Sequence, residues 1–372
     1  MLRGPNTLRP ILSEPLAGDP DDALADFLKT RRKATINDVA RLSGVSKKTV
    51  SRVINNAPSV RTETRERVNE TIAKTGFRPD PQARGLAFRR SFLLGLIYDN
   101  PNAQYIVTMQ MGALDALRGS GTELVVHPCD RRSNTFLKDI SDFVERQRLA
   151  GVIVLPPLSE DVALLALLED RSVPYTRVSA INGADTTPAL TGHQVVTQDY
   201  EGCLSVAQHL AELGHIRMGF IAGPIGYVSS DERRRGFVDG LKRHGLTLDP
   251  QREARGGYTF DSGYTAAMAL LARPDRPTAI LAANDEMAVG AYKAAYELGL
   301  RIPADISIIG FDDSHLASRV FPPLSSVRTP IRDMARAATD MLLASDMAPD
   351  QTRMFDAVLV VRGSTAPCQP LP

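Results

Sequence analysis

The sequence predicts an α/β protein in which a small unit of three helices precedes a larger core of parallel sheets. Residues 35–54 read TINDVARLSGVSKKTVSRVI, with apolar residues at helical spacing on both sides of one glycine. From Phe92 onward, helical stretches alternate with the short apolar runs FLLGLIY, TELVVH, GVIVL, IRMGFIAG, TAILAA and ISIIGF. Such alternation is typical of parallel strands joined by crossover helices. At 372 residues the chain has room for two or three domains.

Residues 35–54 predict two helices separated by a tight turn. Thr35, followed three residues later by Asp38, resembles a capping box at the start of the first helix. Gly44 ends that helix, and Ser46 is a suitable N-cap for the second. The second helix has the inward residues Val50, Val53 and Ile54 and the outward residues Lys47, Lys48, Ser51, Arg52 and Asn55. A turn followed by a helix with such an outward row of hydrogen-bond donors is typical of proteins that bind DNA.

Positive charge is concentrated around these helices. Residues 31–90 hold 15 Lys or Arg against 5 Asp or Glu, a balance of +10, whereas the whole chain carries only +1. The remaining residues must therefore sum to −9. A local excess of this size suits the neutralisation of phosphates, so we predict double-stranded DNA as the partner of this unit. The alternative is an ordinary solvated basic face on two amphipathic helices.

The flanks of the two helices have distinct patterns. Residues 1–33 are rich in Pro, Gly and acidic residues and lack sustained periodicity, and we predict a disordered extension there. A third helix is predicted over residues 62–74, with Gly76 at its end. Residues 34–78 would then form one compact helix-turn-helix domain.

These residues resemble the LacI/GalR (lactose-repressor) family of bacterial transcription regulators. The likeness is carried by DVARLSGVSKKTVSRVIN, by TRERVNETIAKTGFRPDPQARGLA and by the strand pattern that follows, and it spans residues 35–365. The order A-x-x-x-G-V-S-x-x-T-V-S-R is very specific. The resemblance implies a helix-turn-helix headpiece, a hinge helix at residues 79–91, and a two-lobed core of the type I periplasmic-binding-protein kind at residues 92–365. Residues 366–372 are expected to be a flexible tail.

The resemblance also implies how DNA is bound. A homodimer would place the helix that begins at Ser46 in the major groove of each half of a pseudo-palindromic operator. The implied DNA-binding residues are Lys47, Lys48 and Arg52 at base edges, Ser46, Thr49, Arg61 and Thr64 at phosphates, and Thr35, Ser51 and Asn55 beside them. Leu86 would wedge into the minor groove with Ala83 beside it. Residues 79–91 are too short for a stable helix alone, and a plain linker is the alternative.

Polar residues at the ends of the predicted strands form a candidate ligand site. In parallel α/β sheets ligands bind outside the carboxyl ends of the strands, here in the cleft between the lobes. The candidates are Asp99, Asn102, Ser229, Arg233, Tyr258, Asn284 and Asp312. Arg, Asp and Asn can each pair with vicinal hydroxyls, and Tyr258 or Phe311 could cover an apolar sugar face. By resemblance, Arg233, Asn284 and Asp312 align with the effector-binding residues of the family.

Each candidate also has a structural explanation. Two of the three consecutive arginines at residues 233–235 are expected to be surface residues. Asn284 and Asp285 could cap a helix, and Asp312 could start a turn. We predict a small sugar as the effector of a repressor of carbohydrate-utilisation genes, with a nucleoside or purine as the alternative.

The sequence carries no recognisable catalytic motif. G-x-S-x-G, Walker, G-x-G-x-x-G, H-E-x-x-H and C-x-x-C patterns are all missing, and Cys129, Cys203 and Cys368 lack metal-ligand spacing. We therefore predict a protein that is not an enzyme and that uses no cofactor or metal. The acidic N-terminus and the short apolar runs predict a cytoplasmic, nucleoid-associated protein without a membrane partner. A sugar-binding protein that does not bind DNA is the alternative class.

Overall fold

A computed structural model describes residues 20–30, 32–54, 59–78, 91–181, 192–344 and 351–369. The chain divides into two compact units, residues 1–88 and 89–372. The predicted DNA-binding residues Asn55, Ala83 and Leu86 lie outside the described residues, as does nearly all of the predicted hinge. Those three assignments remain predictions.

The described part of the first unit consists of short helices around a small apolar core. The helices are α1 (Pro20–Lys29), α2 (Ile36–Leu42), α3 (Lys47–Ile54) and α4 (Thr62–Thr75). Val39, Val50 and Val68, one from each of α2, α3 and α4, are fully buried against one another. Gly76 has a φ of 62°, the left-handed conformation that commonly ends a helix. The three helices predicted from the sequence are thereby confirmed.

The predicted capping box at α2 is present and is joined by an ion pair. The Asp38 backbone N–H donates to the Thr35 hydroxyl, and the Asp38 carboxylate accepts from the Thr35 backbone N–H at 3.0 Å. Arg32 donates to both Asp38 oxygens, at 2.9 and 2.5 Å. These hydrogen bonds, with that to Arg32 the strongest, hold the pKa of Asp38 well below its ordinary value.

We expect Asp38→Asn to lower the free energy of opening of α2 by about 1 kcal/mol at pH 7, because the cap and the ion pair are both weakened. The depressed pKa means that this contribution is present above the unfolded pKa of 3.8 and is lost as the pH falls. Amide hydrogen exchange of α2 in the full chain measures the effect. Asp26→Asn, which removes an exposed pair with Lys29, is the matched control. Equal protection of α2 in the wild type and in Asp38→Asn would contradict this account.

Helix α1 is a correction to the sequence analysis. A disordered extension was predicted over residues 1–33, yet Pro20–Lys29 is helical. Phe27 is buried, and the Arg32 guanidinium lies 4.9 Å from the centre of its ring. The Pro, Gly and acidic residues of segment 1–33 outweighed the apolar residues Leu24, Phe27 and Leu28, although these three lie at helical spacing.

The described part of the second unit contains two six-stranded sheets with helices on their faces. Its strands are β1 (Leu93–Tyr98), β2 (Glu123–Pro128), β3 (Gly151–Val154), β4 (Tyr175–Ala180), β5 (His193–Thr197), β6 (Met218–Ala222), β7 (Glu253–Arg255), β8 (Ala279–Ala282), β9 (Ser307–Asp312), β10 (Ser325–Arg328), β11 (Thr352–Phe355) and β12 (Val358–Val360). Its helices are α5 (Ala103–Leu117), α6 (Phe136–Gln147), α7 (Val162–Asp170), α8 (Asp199–Glu212), α9 (Val228–Arg243), α10 (Phe260–Leu271), α11 (Asp285–Glu297), α12 (His315–Arg319) and α13 (Ile331–Ala344).

Each sheet belongs to one lobe, and the chain passes between the lobes three times. The first sheet has the order β11-β5-β4-β3-β1-β2 and is parallel throughout, and the second has the order β12-β10-β9-β8-β6-β7 with only β12 antiparallel. The crossings follow β5, β10 and β11. The predicted α/β core is thus confirmed.

The end of the chain is a second correction. We predicted a flexible tail over residues 366–372, but residues 366–369 are hydrogen-bonded to the second lobe. The Cys368 backbone N–H donates to the Leu213 carbonyl at 2.8 Å, and His215 lies 3.1 Å from the Ala366 carbonyl. Such backbone pairing carries no signature in side-chain composition, and the sequence analysis therefore missed it. Among the described helices none is both long and apolar enough to cross a membrane.

Candidate DNA-binding surface and effector cleft

The outward face of α3 presents the predicted base-reading residues to solvent. Lys47, Lys48 and Arg52 are exposed, whereas Val50 and Val53 on the opposite face are buried. None of the three cations forms an ion pair with another described residue. They are therefore available to phosphates or to base edges.

The hydroxyl residues near α3 also serve the helices themselves. Ser46 Oγ accepts from the Thr49 backbone N–H at 3.1 Å and lies 2.9 Å from Thr49 Oγ1, so Ser46 is the predicted N-cap. The Thr35 hydroxyl is likewise engaged at the start of α2. Arg61 is exposed, while Ser51 and Thr64 are half-buried.

A cavity lies between the two lobes at the carboxyl ends of the strands. Six of the seven predicted effector residues line it: Asn102, Ser229, Arg233, Tyr258, Asn284 and Asp312. They come from both lobes, with Asn102 following β1 and the others following strands of the second sheet. A second cavity adjoins the first at Asn102, Tyr105 and Asp312. We call these two spaces the inner and outer chambers of the cleft.

Arg233 is the centre of the inner chamber. Its Nε donates to Asp199 Oδ2 at 2.7 Å, and its Nη1 donates to the Ala283 carbonyl at 2.5 Å. Its Nη2 lies 3.8 Å from Asp312 Oδ1, and the guanidinium carbon lies 3.6 Å from the centre of the Phe311 ring. Phe311 is therefore covered by Arg233, and the suggestion that this ring packs against a sugar was wrong. The neighbouring arginines 234 and 235 pair with glutamates at the surface, as expected.

Burial raises the pKa of Asp312 to about 8, an effect that Arg233 opposes and that Asp285 and Asp199 reinforce. The Asp199 Oδ1 atom is buried and accepts no hydrogen bond from the described residues. The cleft thus holds at least one hydrogen-bond acceptor that lacks a donor, and a buried polar group of this kind is costly until a ligand supplies one.

Two lining residues have strained backbones. Tyr258 has a φ of 62° and Asp312 a φ of 104°, a region that side chains with a Cβ rarely adopt. Such conformations cost about 1 to 3 kcal/mol each and concentrate at binding sites. The Tyr258 hydroxyl lies 3.4 Å from Ser229 Oγ, so both groups face the same space.

Asn284 caps a helix and also holds the backbone of a neighbouring cleft residue. Its Oδ1 accepts from the Met287 backbone N–H at 2.9 Å, which caps α11, and its Nδ2 donates to the Tyr258 carbonyl at 3.0 Å. Asn102 similarly caps α5 through the Tyr105 backbone N–H. The capping alternative is confirmed for Asn284, and its contribution to the cleft is to fix the backbone of Tyr258.

Asp99 does not line either chamber, contrary to the prediction. Its carboxylate accepts from the Arg131 backbone N–H at 3.3 Å, and its carbonyl accepts from the Tyr227 hydroxyl at 2.9 Å. The turn after β1 directs Asp99 toward the edge of the cleft, where it joins the two lobes. Sequence position alone could not distinguish this direction from one into the cavity.

Further contacts join the lobes at the same edge. Arg131 donates to the carbonyls of Ile225 and Gly226, both at 3.4 Å. Glu160 Oε2 accepts from the Val228 backbone N–H at the start of α9, at 3.3 Å. Burial, with a small contribution from Asp231, raises the pKa of Glu160 to about 7, although Arg131 and Arg177 are near. We call the contacts of Asp99, Arg131 and Glu160 with the second lobe the lobe latch.

We expect the burial of Glu160 to make the folded protein more stable at low pH than at high pH. The pKa of Glu160 is raised from 4.5 to about 7, so the stability that its protonated form contributes is complete below pH 4.5 and is lost as the pH rises through 7. Wild type should therefore lose about 1 kcal/mol more stability between pH 5 and pH 8 than Glu160→Gln, which cannot ionise. Thermal unfolding at four pH values measures this difference, with the exposed Glu201→Gln as control. Parallel pH profiles for wild type and Glu160→Gln would contradict the assignment.

Several cleft residues were not predicted from the sequence. Tyr105, Ser179, Thr197, Asp199 and Tyr227 all line the inner chamber. Asp199 stands directly after β5, as the predicted residues stand after their strands, but the HQVVT run that precedes it was not recognised as a strand. The signal was present and was obscured by polar residues within that buried strand.

A basic helix-turn-helix unit on one chain with a two-lobed ligand-binding fold defines a class of proteins, the ligand-responsive transcription regulators. The chain matches the model of the bacterial regulatory proteins of the lacI family over residues 35–80, and a periplasmic binding protein-like domain over residues 207–365. The lactose operon repressor of Escherichia coli K12 is 31% identical over 340 residues, which cover 90% of this chain and 91% of that protein. The protein belongs to the LacI family and is a DNA-binding transcription regulator.

Solved structures agree with this membership. The lac repressor dimer bound to operator and the anti-inducer ONPF has a TM-score of 0.75 and 30% identity, covering 90% of this chain and all of that one. The complex of the transcriptional regulator CelR with cellobiose has a TM-score of 0.67 and 29% identity. The match covers 89% of this chain and all of the CelR chain. These relatives are DNA-binding regulators. Within the described residues, no group of three or more His, Cys, Asp or Glu side chains is placed to hold a metal ion.

Proposed function

We propose that this protein is a homodimeric repressor whose affinity for a pseudo-palindromic operator is controlled by a small sugar in the inner chamber. The observation that carries this proposal is the convergence of Arg233, Asp199 and Asp312 with hydroxyl and amide groups in a buried cleft. A sugar bound there would act through its different affinity for two arrangements of the lobes. We further propose that the protein acts in the cytoplasm, where the chromosome is.

The DNA-binding half of the proposal rests on α3. Lys47, Lys48 and Arg52 would reach base edges, and bidentate contacts from Arg or Lys favour guanine. Ser46, Thr49, Arg61 and Thr64 would hold phosphates and fix the register. The operator-bound lac repressor supports the same use of the corresponding unit.

The sugar half rests on the chemistry of the cleft. Asp199 Oδ1 lacks a donor, Ser229 and Thr197 offer hydroxyls, and Tyr258 offers a buried ring edge. Hydroxyl groups that both donate and accept complement such a lining. The cellobiose in the CelR complex supports a carbohydrate of this kind. A nucleoside or purine is the second candidate, because Tyr105, Tyr227 and Tyr258 could stack against a base.

The dimer rests on an apolar stripe along α5. Val107, Met111 and Leu114 are spaced by four and three residues, lie on one face of the helix, and are 48%, 46% and 50% exposed. Three large apolar side chains in one exposed row suit burial against a second copy. A dimer would also supply the second α3 that a two-fold operator needs.

A thermal-shift panel tests the effector class directly. Mono- and disaccharides, nucleosides and purines are added to the wild type and to Arg233→Ala. A ligand at a hundred times its dissociation constant stabilises its target by about 2.7 kcal/mol. Stabilisation by a sugar that is lost in the variant would support the proposal. Stabilisation only by nucleosides or purines, or by no compound, would contradict it.

A further inference from the structure

We infer that the inner chamber selects an uncharged sugar and rejects acidic derivatives of the same sugar, such as uronates and sugar phosphates. This inference rests on the proposed sugar effector and adds the charge of the ligand to it. It follows from the charges in the cleft, from the way Arg233 is engaged, and from the kind of hydrogen bond that the chamber lacks.

The ionisable groups that line the inner chamber are predominantly acidic. Arg233 is the single Lys or Arg among the described lining residues, and Asp199 and Asp312 are the two carboxyl groups. One cation therefore faces two carboxyl groups before any ligand enters.

Arg233 has little capacity left for an anion. Its Nε and Nη1 donate to Asp199 and to the Ala283 carbonyl, and one face of the guanidinium covers Phe311. Its Nη2 is the atom closest to free, and it lies 3.8 Å from Asp312 Oδ1. A ligand carboxylate or phosphate that reached Nη2 would therefore meet Asp312 at close range, and like charges in a site of low dielectric repel strongly.

The environment of Asp312 also disfavours an anionic ligand group in the inner chamber. Burial raises its pKa to about 8, and Asp285, Asp199 and Glu286 reinforce the rise despite the nearby Arg233. Three carboxylates thus contribute a negative potential beside Asp312, although burial is the larger cause of the raised pKa. Adding another negative charge to it is unfavourable.

The hydrogen-bonding needs of the chamber favour a donor. Asp199 Oδ1 is a buried acceptor without a donor. A hydroxyl group supplies the missing hydrogen, whereas an ionised carboxylate or phosphate oxygen has only lone pairs to offer. Replacing a sugar hydroxyl by such a group would leave Asp199 unsatisfied and would place a second acceptor beside it.

The outer chamber does not supply a compensating cation. Arg328 pairs with Asp313 at 2.7 Å, and Arg332 pairs with Asp115 at 2.7 Å. Glu286 and Asp333 line the same space, as does Asp285. An anionic group that extended from the inner chamber would enter a second region in which the described arginines are already paired.

Calorimetric titration of the full chain at pH 7.5 tests the inference with matched sets of sugars. The first set is glucose, glucuronate, glucose 6-phosphate and 6-deoxyglucose, and the second is galactose with its uronate, its 6-phosphate and its 6-deoxy form. The 6-deoxy sugar removes the hydroxyl without adding charge, so it is the control for loss of that contact. We expect the uronate and the phosphate to bind at least tenfold more weakly than both neutral members. An acidic member that binds as tightly as its neutral partners would overturn the inference and leave the proposed sugar effector intact.

Two further outcomes separate the inference from the proposed function. If no sugar of the thermal-shift panel and no member of either set binds, the sugar proposal fails and the inference falls with it. If a neutral sugar binds, Asp312→Asn should reduce the discrimination against its uronate at least threefold at pH 9, where the wild-type Asp312 is ionised and the variant lacks that charge. If a folded Asp312→Asn variant has the same ratio of affinities for the neutral sugar and its uronate as the wild type, the electrostatic explanation is overturned. If that variant does not fold, the inference is still decided by the wild type, from the ratio of the dissociation constants of the acidic and neutral sugars.

Discussion

Arg233→Ala is expected to abolish the response to the effector while operator affinity stays within about twofold of the wild type. The guanidinium holds Asp199 and Asp312 in place and offers Nη2 to the ligand, and no part of this network lies on α3. Removing one partner of a buried ion pair leaves uncompensated charge and typically costs about 3 to 5 kcal/mol. The variant should therefore also unfold at a lower temperature. Operator titrations with and without the sugar, alongside thermal unfolding, measure both effects.

Two variants control for this loss of stability. Arg234→Ala removes the next arginine along the chain, which pairs with Glu253 at 2.6 Å on the surface, and it should leave the effector response unchanged. Arg233→Lys keeps the charge but not the fork of donors, and it should respond weakly at best. A folded Arg233→Ala protein with a normal effector response would remove Arg233 from the site.

Arg52→Ala is expected to weaken specific operator binding by about 1 to 3 kcal/mol per half-site, the usual value of a bidentate base contact. Arg52 is exposed on α3, beside the buried Val53, so its removal should not disturb the helical core. Effector binding should be unchanged, because the cleft belongs to the second unit. Operator sequences selected from a random duplex pool by the wild type provide the probe for anisotropy titrations.

The matched control for this loss is Arg67→Ala on α4. Both substitutions remove one exposed arginine from the same unit, so they change its net charge equally. If binding depended only on charge, both variants would weaken operator and random DNA to the same degree. If Arg52 reads a base, only Arg52→Ala should lose the preference for the operator. Wild-type affinity in Arg52→Ala would contradict the role of α3.

The parts of the fold that sequence predicts well are those with strong local patterns. The α2, α3 and α4 helices combine periodic apolar residues with an N-cap or a terminal glycine, and they were found with near-correct bounds. The strands β4 and β5 were missed, because YTRVSA and HQVVT carry polar residues into a buried sheet. Arg177, for example, is 3% exposed within β4. Tertiary contacts can satisfy such groups in ways that a local pattern does not reveal.

The candidate site, too, could be predicted from the sequence only in part. Arg233, Asp312 and four other residues could be placed in the cleft because parallel strands bring their carboxyl ends to one edge. The direction of Asp99 could not be predicted, since it depends on a turn and on Tyr227 in the other lobe. The cover of Arg233 over Phe311 likewise depends on packing between β9 and α9. Contacts of this kind require the assembled core.

The central claim is that a sugar in the cleft controls operator binding at α3. The measurement that tests it most directly is the affinity of the full chain for its selected operator, by fluorescence anisotropy, with and without the sugar that stabilises it. We predict a change of at least tenfold in the wild type, no change in Arg233→Ala, and the wild-type response in Arg234→Ala. An operator affinity that stays constant in the wild type when the sugar saturates the protein would contradict the claim.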